Sequence, residues 1–188
     1  MSFLEAKKFF EKGLKYYLEK DFINSIIFFE KSLKIVPNRP STLKNLVAAY
    51  IKIDNLKKAE YYLKNLILYN DSESDLIPLI NKVYRKTDKV FEFKEFIENN
   101  INKDIDPILK LQKDLYVPKI FKDKKEIIET RNIFEKKLDL YLNENTILKC
   151  KLEKEQIDPP IFPLSYDEFD NKNNFKKVVK LLRKVYPE

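Results

Sequence analysis

The side chains able to do chemistry in this chain are almost all carboxylates and primary amines. Thirty Asp and Glu stand beside 37 Lys and Arg in 188 residues, with one cysteine, Cys150, and no histidine. Without imidazole there is no histidine base, no triad and no imidazole metal site. One thiolate cannot close a zinc site. One glycine, Gly13, cannot build a Gly-rich phosphate loop. Carboxylate pairs recur throughout, but spread along amphipathic helices they read as surface charge. The residues therefore predict no catalytic site in this chain, no cofactor and no metal.

The net charge is +7, with 18 basic against 14 acidic residues in 1–100 and 19 against 16 in 101–188. The excess looks spread rather than clustered. Only four cations are arginines, Arg39, Arg85, Arg131 and Arg183, whereas nucleic-acid sites favour guanidinium forks and local patches. A lysine-rich solvated surface with no specific nucleic-acid partner is the expectation. No apolar run approaches the roughly 20 residues that span a bilayer, and "MSFLEAKKFF" has acid and base within its apolar part, unlike a signal peptide. A single cysteine forms no internal disulfide. A cytoplasmic location without a membrane is expected.

The elements that carry these residues repeat. Tyr16, Tyr50 and Tyr84 are spaced by 34 residues; so are Phe9, Leu43 and Ile77, then Ser25, Ala59 and Phe93, then Phe29, Leu63 and Ile97. Apolar positions recur at helical spacing in six segments. Helices are predicted near 3–19, 22–35, 41–53, 56–69, 75–86 and 89–99. Ser2 with Glu5 reads as a capping box, Lys20-Asp21 as a turn, and Pro37 and Pro40 as an end and a start.

A 34-residue helical-hairpin period resembles the tetratricopeptide repeat. The fold class it implies is an all-α solenoid of about three repeats over 1–105, at 6–39, 40–73 and 74–107. In the first unit Phe9, Gly13, Tyr16, Ser25, Phe29, Ser32 and Pro37 match the family pattern. In the second, Leu43, Leu46, Tyr50, Ala59 and Leu63 match, with Val47 in the glycine's place. The third keeps Ile77, Ile80 and Tyr84 but has Phe93 at the small site. Gly13 is expected where two helices approach closely, with Phe29 or Tyr16 filling the space and Ser25 as the small residue opposite. By resemblance the first helices line a peptide-binding groove at Lys7, Phe10, Leu14 and Tyr17; at Ser41, Lys44, Asn45, Ala48 and Ile51; and at Asp75, Pro78, Lys82 and Arg85. The subclass that clamps a C-terminal carboxylate needs Lys and Asn where Phe10 and Leu14 stand and a Lys in place of Asp75. Only Asn45 fits, so that clamp is not expected.

Residues 106–188 leave the period. Helices are predicted near 107–115, 124–143 and 173–186, with "LYVPKIF" extended between the first two. Asp123 with Glu126 reads as a capping box. Ile127, Ile128, Arg131, Phe134, Leu138 and Tyr141 should face inward on one helix, and Val178, Val179, Leu182 and Val185 on the last. Prolines 159, 160 and 163 mark a loop or crossing. "VPKIFKDKKEIIETRNIFEKKL", "FPLSYDEFDN" and "RKVYPE" resemble the connector of bacterial SPINDLY-type, O-linked N-acetylglucosamine transferase-like proteins. The matching residues include Pro118, Ile120, Phe121, Glu126, Arg131, Tyr166, Asn171 and Arg183. The resemblance implies a protein- or peptide-binding scaffold whose connector would dock a two-lobed glycosyltransferase domain. The chain ends at Glu188, where such a lobe would begin. The family's groove ladder of Asn is represented by Glu11, Asn45 and Leu79, one rung in three. A stand-alone adaptor for one protein partner is the other expectation.

Overall fold

The structure, a computed structural model, describes residues 2–69, 76–100, 107–118, 120–143 and 170–186. Every regular element among them is helical: α1 (Phe3–Leu18), α2 (Phe22–Ile35), α3 (Pro40–Lys52), α4 (Leu56–Tyr69), α5 (Ile77–Ile80, continuing as a π-helical turn Asn81–Arg85), α6 (Val90–Asn100), α7 (Pro107–Asp114), α8 (Lys124–Asn143) and α9 (Lys172–Val185). The chain thus has an all-α fold. No helix among the described residues is long and apolar enough to cross a membrane.

The helix ends repeat at 34 residues. α2, α4 and α6 start at Phe22, Leu56 and Val90. The turns before them place Lys20, Asp54 and Asp88 in the left-handed region, at φ 63°, 58° and 56°. Asp21 N–H donates to the Tyr16 carbonyl and Asn55 N–H to the Tyr50 carbonyl, both at 2.9 Å. These bonds close the ends of α1 and α3 on otherwise unpaired carbonyls, in the six-to-one pattern of a left-handed helix stop. Ser2 Oγ accepts from Glu5 N–H at 3.4 Å, and Asp123 Oδ1 accepts from Glu126 N–H at 2.8 Å. The Glu126 carboxylate returns to Lys122 N–H rather than to Asp123.

The residues separate into two compact units: residues 1–71 with 79–87, and residues 72–78 with 88–188. The division falls inside the third 34-residue segment. The first unit is built on α1 to α4. Gly13 is buried in α1, and a Cβ placed on it would lie 2.6 Å from Phe29 Cδ1 and 2.7 Å from Cε1. Ser25 Oγ donates to the Gly13 carbonyl at 2.9 Å, and Ser32 Oγ to the Ala6 carbonyl at 2.8 Å. Small residues on both helices thus let α2 hydrogen-bond the backbone of α1. Ala59, Leu63 and Tyr50 are buried in the same unit. Tyr84 is buried too.

The second unit packs Ile108, Leu111, Phe134, Leu138, Tyr141, Val178, Leu181 and Val185 around one core. Phe93 shows why the period fades here. Where Ser25 and Ala59 are small, the Phe93 ring is fully buried and meets Tyr116 edge-on at 5.7 Å.

Phe9 and Tyr16 are half-buried, and each stacks on Phe28, at 6.2 and 5.4 Å. Pro37 is exposed and follows the end of α2. Other expectations are corrected. Ile128 and Val179 face outward, 40% and 48% exposed, while Leu181 takes the core position on α9. Residues 116–118 form neither helix nor strand. The charge surplus is also clustered: α9 carries Lys172, Lys176, Lys177, Lys180, Arg183 and Lys184 with no acid. Tyr166, Asp75 and prolines 159, 160 and 163 lie outside the described residues.

Candidate binding surface

On α1, Phe10, Leu14 and Tyr17 lie at i, i+4 and i+7 and so share a face. All three are half-buried, and Lys7 one turn earlier is exposed. On α3 the same spacing joins Lys44, Ala48 and Ile51; Lys44 and Ser41 are exposed, while Asn45, Ala48 and Ile51 are half-buried. These residues are neither core nor free surface: apolar groups in partial contact with water, edged by ammonium groups.

The stripe on α1 is fixed from behind. Phe10 meets Phe29 at 5.8 Å between ring centres, and Tyr17 meets Phe22 edge-on at 5.3 Å. Burial pushes the Tyr17 phenol up from its ordinary pKa. Asn45 Nδ2 donates to the Ser41 carbonyl at 2.8 Å, holding its amide against its own helix.

One residue that sequence reasoning left out joins this surface. The Arg39 guanidinium, at the start of α3, lies 5.0 Å from the Phe10 ring centre and 5.5 Å from that of Phe3. These are cation–π distances, and they bring the beginning of α3 onto the α1 stripe. Arg39 Nη1 is buried and has no hydrogen-bond partner among the described residues. The Arg-Pro pair at 39–40 marks a helix start, but nothing in it points to an aromatic platform 29 residues earlier.

The third segment contributes less. Lys82 is exposed and Pro78 half-buried. Arg85 belongs to the π-helical turn, with its side chain outside the described atoms.

Of the connector residues, Arg131 and Asn171 are brought together. Arg131 Nη1 donates to Asn171 Oδ1 at 2.7 Å and Nη2 to the Asp170 carbonyl at 2.9 Å; Nε lies 3.3 Å from Glu135 Oε1. The guanidinium fork thereby clamps the entry to α9 against α8. Pro118 is buried. Ile120 is 77% exposed, while Phe121 packs at the edge of the core.

Groups of three or more His, Cys, Asp or Glu placed to hold a metal are absent among the described residues. Comparison with protein-family models, with curated proteins and with solved structures finds no match for the chain. Function is therefore read from the residues themselves.

Proposed function

We propose that this chain is a non-catalytic scaffold that binds a protein or peptide, built as a tetratricopeptide-type solenoid followed by a helical connector. The observation that carries this reading is the half-buried stripe Phe10–Leu14–Tyr17, edged by Lys7 and roofed at one end by Arg39. A bound segment would seat apolar side chains on the stripe and set acidic groups against the amines. The 34-residue recurrence of the left-handed turns supports the repeat reading.

A panel of displayed peptides selected on the intact chain tests it. Selected peptides should carry apolar anchors with acidic neighbours, and Leu14→Lys should abolish their binding while helical circular dichroism is unchanged. Selected peptides indifferent to Leu14→Lys, Phe10→Ala and Ile51→Lys overturn the reading.

We further propose that the scaffold serves a SPINDLY-like glycosyltransferase as its recognition arm and connector. The Arg131–Asn171 clamp, joining two residues of the resembled motif, supports this, as do the exposed Phe175 and Val179 on α9. The alternative is a stand-alone adaptor. The intact mass of the native protein decides: a species near 22.6 kDa favours the adaptor, and one larger by a two-lobed domain favours the arm.

A further inference from the structure

A second site lies in the other unit, independent of the α1 stripe. Lys94, on α6, extends into a cavity of about 30 Å³ walled by Phe91, Tyr116, Pro118, Ile133 and Phe134. At about 10–15 Å³ for each water-sized group, the cavity holds two or three. Among the described residues the Lys94 ammonium donates one hydrogen bond, to the Tyr116 carbonyl at 3.1 Å, of the three an ammonium can make.

Among the described residues the surrounding charges do not balance. Asp114, also lining the cavity, accepts from Tyr141 Oη at 2.9 Å and from Lys137 Nζ at 3.2 Å, and its other oxygen lies 3.6 Å from Lys113 Nζ. Lys113 also pairs with the exposed Glu98 at 3.2 Å. Three ammonium groups thus face two carboxylates, one of them solvated. Burial, more than any neighbour, pulls the Lys94 amine below its ordinary pKa; Asp114 and Glu98 oppose the fall, Lys113 and Lys137 add to it. A mainly apolar cleft with one largely buried cation, and with more ammonium than carboxylate groups around it among the described residues, suits an anion of about three heavy atoms.

The geometry points to a carboxylate-binding pocket, in which an aliphatic carboxylate takes the unused Lys94 N–H donors and lays its chain along Phe91 and Ile133 at the rim. Those two rings and branches are 49% and 54% exposed, which leaves the entrance open. The carboxylate comes from a short-chain acid or from the C-terminus of a peptide, and the two sources are separable.

The test is a titration of the intact protein with sodium butyrate, followed by the lysine Cε resonances in NMR. Butyramide serves as the uncharged control. Acetyl-Ala-Leu, with a free C-terminus, is the second probe, and its amide the control. Butyrate should shift the Lys94 resonance saturably and raise its titration midpoint. Because the bound form needs the ammonium, affinity should fall as pH rises through the lowered Lys94 pKa. Lys94→Met should weaken binding roughly tenfold or more, the loss expected for one charge-assisted hydrogen bond. Lys94→Arg should keep part of it, and the exposed Lys125→Met should change nothing. A response to the peptide acid but not to butyrate supports the pocket and assigns it to a protein terminus. No saturable shift with either acid, equal shifts with the amides, or unchanged binding in both Lys94 variants overturns the proposal.

Discussion

Phe29 occupies the space that a side chain on Gly13 would need: an added Cβ would lie 2.6 Å from Cδ1 and 3.2 Å from Cγ. Those atoms sit near the stem of a fully buried ring, so the ring cannot swing aside at its tip. Gly13→Ala gains about 1 kcal/mol of helix propensity but forces α1 and α2 apart, an overpacking cost of about 1–3 kcal/mol. Net destabilisation is expected in chemical denaturation, larger for Gly13→Leu. Phe29→Leu combined with Gly13→Ala should recover part of the loss through a coupling of opposite sign. Additive effects would show that the contact does not limit packing.

The chain's one glycine is helical, and the left-handed positions among the described residues are held by Lys20, Asn38, Asp54 and Asp88. A left-handed residue with a Cβ costs about 1–2 kcal/mol, less for Asn and Asp. Lys20→Gly should therefore raise stability by roughly 1 kcal/mol, offset in part by the freer unfolded chain. Asn38→Gly should do less. Asp54→Gly also loses the exposed ion pair to Lys86, a pair worth little at a surface. The order in a melting series should be Lys20→Gly above Asp54→Gly and Asn38→Gly. Destabilisation by Lys20→Gly would contradict it.

Those turns also mark the limit of what the sequence discloses. Helix positions were legible because Ser2, Asp21, Pro40 and Asp123 punctuate apolar runs of helical period. The 34-residue spacing of Tyr16 and Tyr50 was legible too, though the turns repeat as faithfully at Lys20, Asp54 and Asp88 without the glycine that advertises them. Side-chain direction was less legible. Ile128 and Val179 are apolar by type, but a step of about 100° per residue puts them outside α8 and α9. Nearly equal surpluses in the two halves conceal the basic run of α9, since its acidic compensation lies elsewhere. Lys94 and Arg39 carried no local signal, because burial and ring contacts are made by residues distant in sequence.

Arg131 joins α8 to the start of α9 through two N–H donors, and its side chain is nearly buried. Arg131→Ala removes the two N–H donors that bind Asn171 Oδ1 and the Asp170 carbonyl, at a cost of about 2 kcal/mol. Arg131→Lys keeps the charge but not the fork, and should recover less than half. The second readout is amide exchange: protection at the first turn of α9 should fall in both variants, while α1 to α4 are unchanged. A double-mutant cycle with Asn171→Ala should give a coupling of about 1 kcal/mol or more.

Glu30 Oε1 accepts from two phenols, Tyr50 at 2.7 Å and Tyr62 at 3.1 Å, whose rings stack at 5.6 Å. Burial first, then the Glu30 charge, pushes Tyr62 up to about 12 and raises Tyr50 as well. The native state therefore holds these protons more tightly than the unfolded chain, whose tyrosines release them near pH 10. Stability from this cluster is complete below about pH 10 and is lost as pH rises toward about 12. Glu30→Gln removes the charge but not the burial. Its Tyr62 should titrate between about 10 and 12, and its stability should fall less steeply over that interval. Tyr62→Phe should remove one high-pH transition from the Tyr Cζ resonances. A Tyr62 midpoint unchanged by Glu30→Gln would mean that burial alone holds the proton.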